Sequence, residues 1–167
     1  YDKAPITDTN KVIATLSLAR AFYQKQDWDA SISAYAEIPR DTVFWHDALF
    51  EQSWAMLRGA RFRSAMSNFH SLHSPYYEDS FNPESLLLRS IVYLYICKYD
   101  EMEKVLSLFE KTYGPVSRTI ADFLKDTSDP GEFFTEIDRA NVMSLSDKKF
   151  QLKLPMMVSL RIQNEPD

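Results

Sequence analysis

An all-α fold built from tandem helical hairpins is predicted by three features of this chain. Apolar residues recur at three- and four-residue intervals, glycine is scarce, and one segment repeats with an offset of 34 residues. The 167 residues are enough for one domain or one short repeat array, and 45% hydrophobic with 14% aromatic residues is the composition of a chain that packs a core. Three glycines leave little material for tight turns or bulges, whereas helices joined by short polar turns need few.

Val12, Leu16, Ala19, Phe22 and Tyr23 form one apolar stripe, which predicts a helix from about Asp8 to Gln26 with Thr7, Asp8 and Thr9 as capping residues. A polar turn at Gln26-Asp27 leads into a second helix from Trp28 to Glu37, which Pro39 and Arg40-Asp41 close. The segment from Leu18 to Tyr35 then matches Gln52 to Phe69. Ala19 falls on Ser53, Phe22 on Met56, Trp28 on Phe62, Ser31 on Ala65 and Tyr35 on Phe69, each pair 34 apart. Small residues replace small ones and large apolar residues replace large ones. A third unit, carried by Ser90, Tyr93, Tyr99, Met102 and Leu106, is displaced by 37 residues. The extra residues fall in the turn-rich linker from His73 to Pro83, where Asn82-Pro83-Glu84 reads as a cap, a proline in the first helical turn and an acid near the positive end of the helix dipole.

The predicted hairpins span about 8–39, 43–73 and 83–113. Beyond Gly114-Pro115 the repeat register is lost. Weaker helical patterns follow over Val116 to Lys125, Pro130 to Met143 behind an Asp129 cap, and Asp147 to Gln163, the last kinked or broken by Pro155. A repeat array needs an end cap, so residues 1–115 are read as the array and 116–167 as a C-terminal helical capping extension.

The period and the small residues at the hairpin crossing resemble the tetratricopeptide repeat (TPR) family over about residues 12 to 115. The pattern departs from the family where Gln52 and Arg89 stand in the place of Leu18, and where Met102 replaces a small residue. Phrases such as Ala48 to Trp54 followed by Gly59 to Ala65 are similar to repeat proteins of the bacterial cell envelope. The resemblance implies a right-handed superhelix of about three TPR-like hairpins, with the first helix of each lining a concave face. It gives Ala19, Phe22, Leu49, Ser53, Met56, Leu86, Ser90 and Tyr93 packing roles. Their neighbours Arg20, Tyr23, Gln24, Phe50, Glu51, Trp54 and Arg58 become the candidate partner-binding residues, a mixture of aromatic surface and both charge signs that suits a polypeptide ligand. Trp54 fits core packing between helices as well as contact with a partner. The family's clamp for C-terminal carboxylates uses Lys and Asn, and Leu16, Arg20, Phe50 and Trp54 occupy the corresponding stretch here. The same resemblance implies a bacterial periplasmic or envelope-associated setting.

Other chemistries find little support. The net charge of −5 comes from 24 acids and 19 bases interspersed along the chain, so there is no basic patch for nucleic acid. No segment approaches the roughly 20 apolar residues of a membrane span, and Tyr1 to Pro5 lacks signal-peptide character, although a targeting segment can lie upstream. Gly59, Gly114 and Gly131 are isolated and build no phosphate loop. His70 and His73, with Glu78 and Asp79 beyond them, are a weak metal pattern, better read as histidines favoured by a helix C-terminus, and His46 stands alone. The single Cys97, in an apolar run, is expected in the core and inert. The chain is read as a non-enzyme without a cofactor or metal, a scaffold for a protein or peptide partner. Self-association into a homo-oligomer is the alternative, and a metal-dependent enzyme centred on His70 and His73 is a third class. The third first-helix, from Leu86 to Ile96, is apolar nearly all round, so Leu87, Ile91 and Tyr95 are expected to be covered by Phe133, Phe134, Ile137, Leu152, Leu154, Met156 and Met157 of the extension.

Overall fold

The structure, a computed structural model, describes residues 9–77, 80–127 and 129–164. Among the described residues there are eight α-helices and no strand: α1 (Thr9–Gln24), α2 (Trp28–Tyr35), α3 (Trp45–Arg58), α4 (Phe62–Leu72), α5 (Pro83–Tyr95), α6 (Tyr99–Asp126), α7 (Pro130–Leu145) and α8 (Met156–Asn164), with one 3-10 turn at Pro75–Tyr77. The caps proposed at Thr7 and Asp8 lie outside the described residues. The chain divides into two compact units. Unit 1 runs to Tyr76 and takes in Ile91–Lys98; unit 2 holds Tyr77–Ser90 and continues from Tyr99.

In unit 1, α1 packs on α2, α2 on α3 and α3 on α4. The expected stripe is the core: Val12, Leu16 and Ala19 are buried with Ala34, Tyr35, Ile38 and Ala48, and Phe22, Phe44 and Trp45 close around them. Small residues sit where two helices approach each other. Ala19, Ser31, Ser53 and Ala65 are all fully buried, and the Ser31 hydroxyl donates to the Ala19 carbonyl at 3.0 Å, tying α2 to α1. The departure from the repeat at Gln52 has a structural use. Leu18 is exposed, whereas Gln52 is buried, donates from Nε2 to the Ile32 carbonyl of α2 at 3.0 Å, and accepts from Asn68 of α4 at 2.9 Å. One amide thereby joins three helices and leaves neither of its ends unsatisfied.

The repeat also appears in the backbone. Among the described residues, three non-glycine residues have positive φ, Gln26 at 63°, Ala60 at 57° and Cys97 at 56°, and they stand at the repeat offsets. Each closes the first helix of a unit with the same two hydrogen bonds. Asp27 N donates to Phe22 O and Gln26 N to Tyr23 O; Arg61 N to Met56 O and Ala60 N to Leu57 O; Lys98 N to Tyr93 O and Cys97 N to Leu94 O. This six-to-one plus five-to-two pattern is the Schellman motif, whose left-handed residue is usually glycine because a Cβ is crowded there. Glycine at Gln26 or Ala60 is therefore expected to raise stability by about 1 kcal/mol each. Glycine at the helical Gln24, two residues before Gln26, should lower it by about the same amount. Urea denaturation of the three single variants checks both signs.

The third unit keeps the turn and loses the burial pattern. Tyr35 and Phe69 are buried, but Leu106, at the equivalent place on α6, is 40% exposed. Helix α6 also differs from the expected pattern, because it runs through Gly114-Pro115 without a break to Asp126. Proline there removes one amide donor and crowds the preceding turn. The buried Val105, Tyr113, Val116 and Phe123 hold both halves of the helix to one apolar face, and tertiary packing outweighs the local penalty. Phe81 and Phe109 flank Tyr113 at ring-centroid distances of 5.6 and 5.5 Å, and burial raises the pKa of the Tyr113 phenol. The Asp129 cap of α7 accepts from Gly131 N at 2.9 Å, with Pro130 in the first turn. The last expected helix is broken, with α8 starting immediately after Pro155, whose carbonyl accepts from Val158 N at 2.9 Å.

Candidate interaction surface

The charged candidates on the first helices are engaged with each other. Arg20 of α1 grips Glu51 of α3 with two bonds, Nε to Oε2 at 2.8 Å and Nη2 to Oε1 at 2.6 Å, and the Tyr35 hydroxyl of α2 donates to the same Oε2 at 2.8 Å. The hydrogen bonds that Arg20 donates to Glu51 raise its pKa above its ordinary value. Burial first, and then the bond to Glu51, raises the Tyr35 phenol, so it remains a donor. A planar guanidinium meeting a carboxylate in this two-pronged way fixes the angle between the two hairpins and leaves one edge of Arg20 to solvent.

A second group forms at the turn end of the hairpins. Tyr23 of α1 meets Trp28 of α2 edge-on at 5.2 Å and 69°, and the Arg58 guanidinium of α3 lies 5.5 Å from the centre of the Trp28 ring. The contact depends on Gly59, where an added Cβ would come within 3.3 Å of the Trp28 Cβ. Tyr23 and Trp28 are half-buried and Arg58 is exposed, so a rigid aromatic and guanidinium surface faces outward. Trp28 escaped the sequence reading because the candidates were sought on the first helix of each hairpin and Trp28 opens the second. Phe50 and Trp54, one turn apart on α3, are half-buried, and Gln24 is exposed at the end of α1.

Two expectations need correction. Cys97 is exposed and stands at the left-handed turn residue after α5, not in the core. The apolar run suggested burial, but the helical periodicity ends at Tyr95 and the reversal turns this side chain outward. Leu87, Ile91 and Tyr95, expected to be buried under a cover, are 38%, 42% and 71% exposed. Helix α5 buries Ser85, Leu86, Leu88, Arg89, Ser90 and Val92, while Leu87 and Ile91 face away from that packing. The extension residues proposed as that cover serve unit 2 instead. Phe133 packs on Phe123 at 5.8 Å, Leu154 is buried, and Phe134 is exposed.

His70 lies in the last turn of α4 with His73 as its C-cap, while Glu78 and Asp79 are outside the described residues. Among the described residues no three of His, Cys, Asp and Glu converge on a common point, and no helix is long and apolar enough to cross a membrane. In unit 2 a buried carboxylate with no distinguishing motif around it organises the segment leading into α8: Glu136 of α7 accepts from the backbone amides of Lys153 and Leu154. Lys153 in turn reaches Glu132 at 3.2 Å and lies 6.0 Å from the Phe123 ring centre. Compared with protein-family models, with curated proteins and with solved structures, the chain matches none.

Proposed function

We propose that the chain is a tetratricopeptide-like scaffold that binds a partner polypeptide across its first helices, on the surface that is concave in that family, in the setting of bacterial envelope assembly or motility. The observation that carries the reading is the Tyr23, Trp28 and Arg58 group, which gathers one side chain from each of three helices into a rigid, outward-facing surface. Aromatic and arginine side chains held by neighbours lose little freedom on binding, which is why they dominate interface energetics. The Arg20 and Glu51 pair beside them sets the spacing of the two hairpins and leaves polar edges for main-chain groups of a ligand.

The test is an affinity capture from host lysate with the parent and with a variant carrying Trp54→Ala and Arg58→Glu, after circular dichroism shows unchanged helicity. The captured protein, identified by mass spectrometry, is expected to fall by about tenfold or more in the variant. Equal capture by both proteins would reject the first-helix surface as the binding face.

A further inference from the structure

Unit 1 also carries a groove between α4 and the end of α5, with a volume of about 830 Å³. Its apolar floor is Phe62 and Met66 from α4 with Val92, Tyr93 and Ile96 from α5 and the turn after it. Phe62 and Met66 lie one helical turn apart, as do Val92 and Ile96, so the floor consists of two ridges with a channel between them. Tyr95 stacks on Phe62 at 6.0 Å and 17°, which stiffens one wall while leaving most of the tyrosine exposed.

The charge around this floor runs against the chain as a whole. The net charge is −5, yet no lining residue is an acid, and Arg61 and Arg63 both stand at the rim. Arg61 pairs with the exposed Asp29 at 2.6 Å, whereas Arg63, also exposed, makes no ion pair among the described residues. An apolar channel with unopposed positive charge at its rim complements a ligand that carries apolar side chains on one face and carboxylates beside them. We propose that this groove receives an acidic amphipathic helix of a partner polypeptide. Leucine-like side chains would enter between the two ridges, and glutamate or aspartate would meet Arg63. The proposal rests on the scaffold reading but uses residues other than the first-helix candidates.

Fluorescence anisotropy tests it with a fluorescein-labelled peptide of glutamate and leucine at helical spacing, beside a counterpart in which lysine replaces glutamate. The acidic peptide is expected to bind at least about tenfold more tightly than the basic one. Arg63→Glu and Ile96→Asp, both at exposed positions and so compatible with folding, should each weaken it about tenfold, and the first should also flatten its salt dependence. The Trp54→Ala, Arg58→Glu variant keeps the groove and should bind the acidic peptide as the parent does, so the outcome is independent of the lysate capture. Equal binding of the two peptides, or parental affinity in Arg63→Glu, overturns the proposal. So does a concentration-dependent mass that Ile96→Asp abolishes, which would assign the groove to a second copy of the chain.

Discussion

Glu136→Ala is expected to destabilise unit 2 by about 2–5 kcal/mol, because a part-buried and a buried backbone amide lose a shared charged acceptor at once. Glu136 is 2% exposed, and its Oε1 receives both Lys153 N and, at 2.9 Å, Leu154 N. Those amides belong to the non-helical stretch that leads into α8, and α8 packs on α7. Alanine removes the acceptor from both donors, and the Leu154 amide is too deep for water to serve it fully. Glutamine keeps an acceptor oxygen and gives up the charge, so it should cost about half as much. With two compact units a single melting temperature need not report on one transition. Hydrogen exchange is the sharper measurement: protection of the Lys153 and Leu154 amides should be lost in the alanine variant while the α1 and α2 amides exchange as before. Retained protection at Leu154 would mean that another group holds this segment.

Phe69→Ala is expected to cost about 3–5 kcal/mol, and Leu106→Ala less than about 1 kcal/mol, although the two residues occupy the same place in the repeat. Phe69 is fully buried between α3 and α4, whereas Leu106 is exposed on α6. Truncating Phe69 removes a large apolar side chain and leaves a cavity that the surrounding helices fill only in part. Truncating Leu106 removes a side chain already in contact with water. Denaturant titrations of the two variants therefore locate where the energetic repeat ends. Comparable losses at both positions would show that the third unit packs as the first two do.

Much of unit 1 was legible in the sequence, because the residues that define it act locally or at a fixed offset. The stripe from Val12 to Phe22, the small residues at Ala19, Ser31, Ser53 and Ala65, and the break at Pro39 all follow from helical geometry. What escaped depends on partners distant in sequence. Gln52 looked like a lapse in the repeat, and only Ile32 and Asn68 together explain why an amide belongs there. Glu136 read as one more acid on a helix face until residues 153 and 154 came to it. Pro115 argued for a helix end, yet packing of Tyr113 and Val116 carries α6 past it. For the interaction surface, Arg20 and Glu51 were both singled out, but their mutual grip was not visible from their places in the chain. Cys97 was misread because composition alone does not distinguish the last turn of a helix from the reversal that follows it.

The three left-handed turns have a consequence for how this chain can drift. Glutamine, alanine and cysteine have little in common chemically, yet each adopts the same dihedral region and the same pair of amide bonds. What is held constant is a shape written in backbone angles. Unbranched side chains can be exchanged at these three places without disturbing it, while valine, isoleucine or proline would be rejected by steric crowding or a fixed φ. The periodicity of the molecule can therefore outlast the resemblance between its residues.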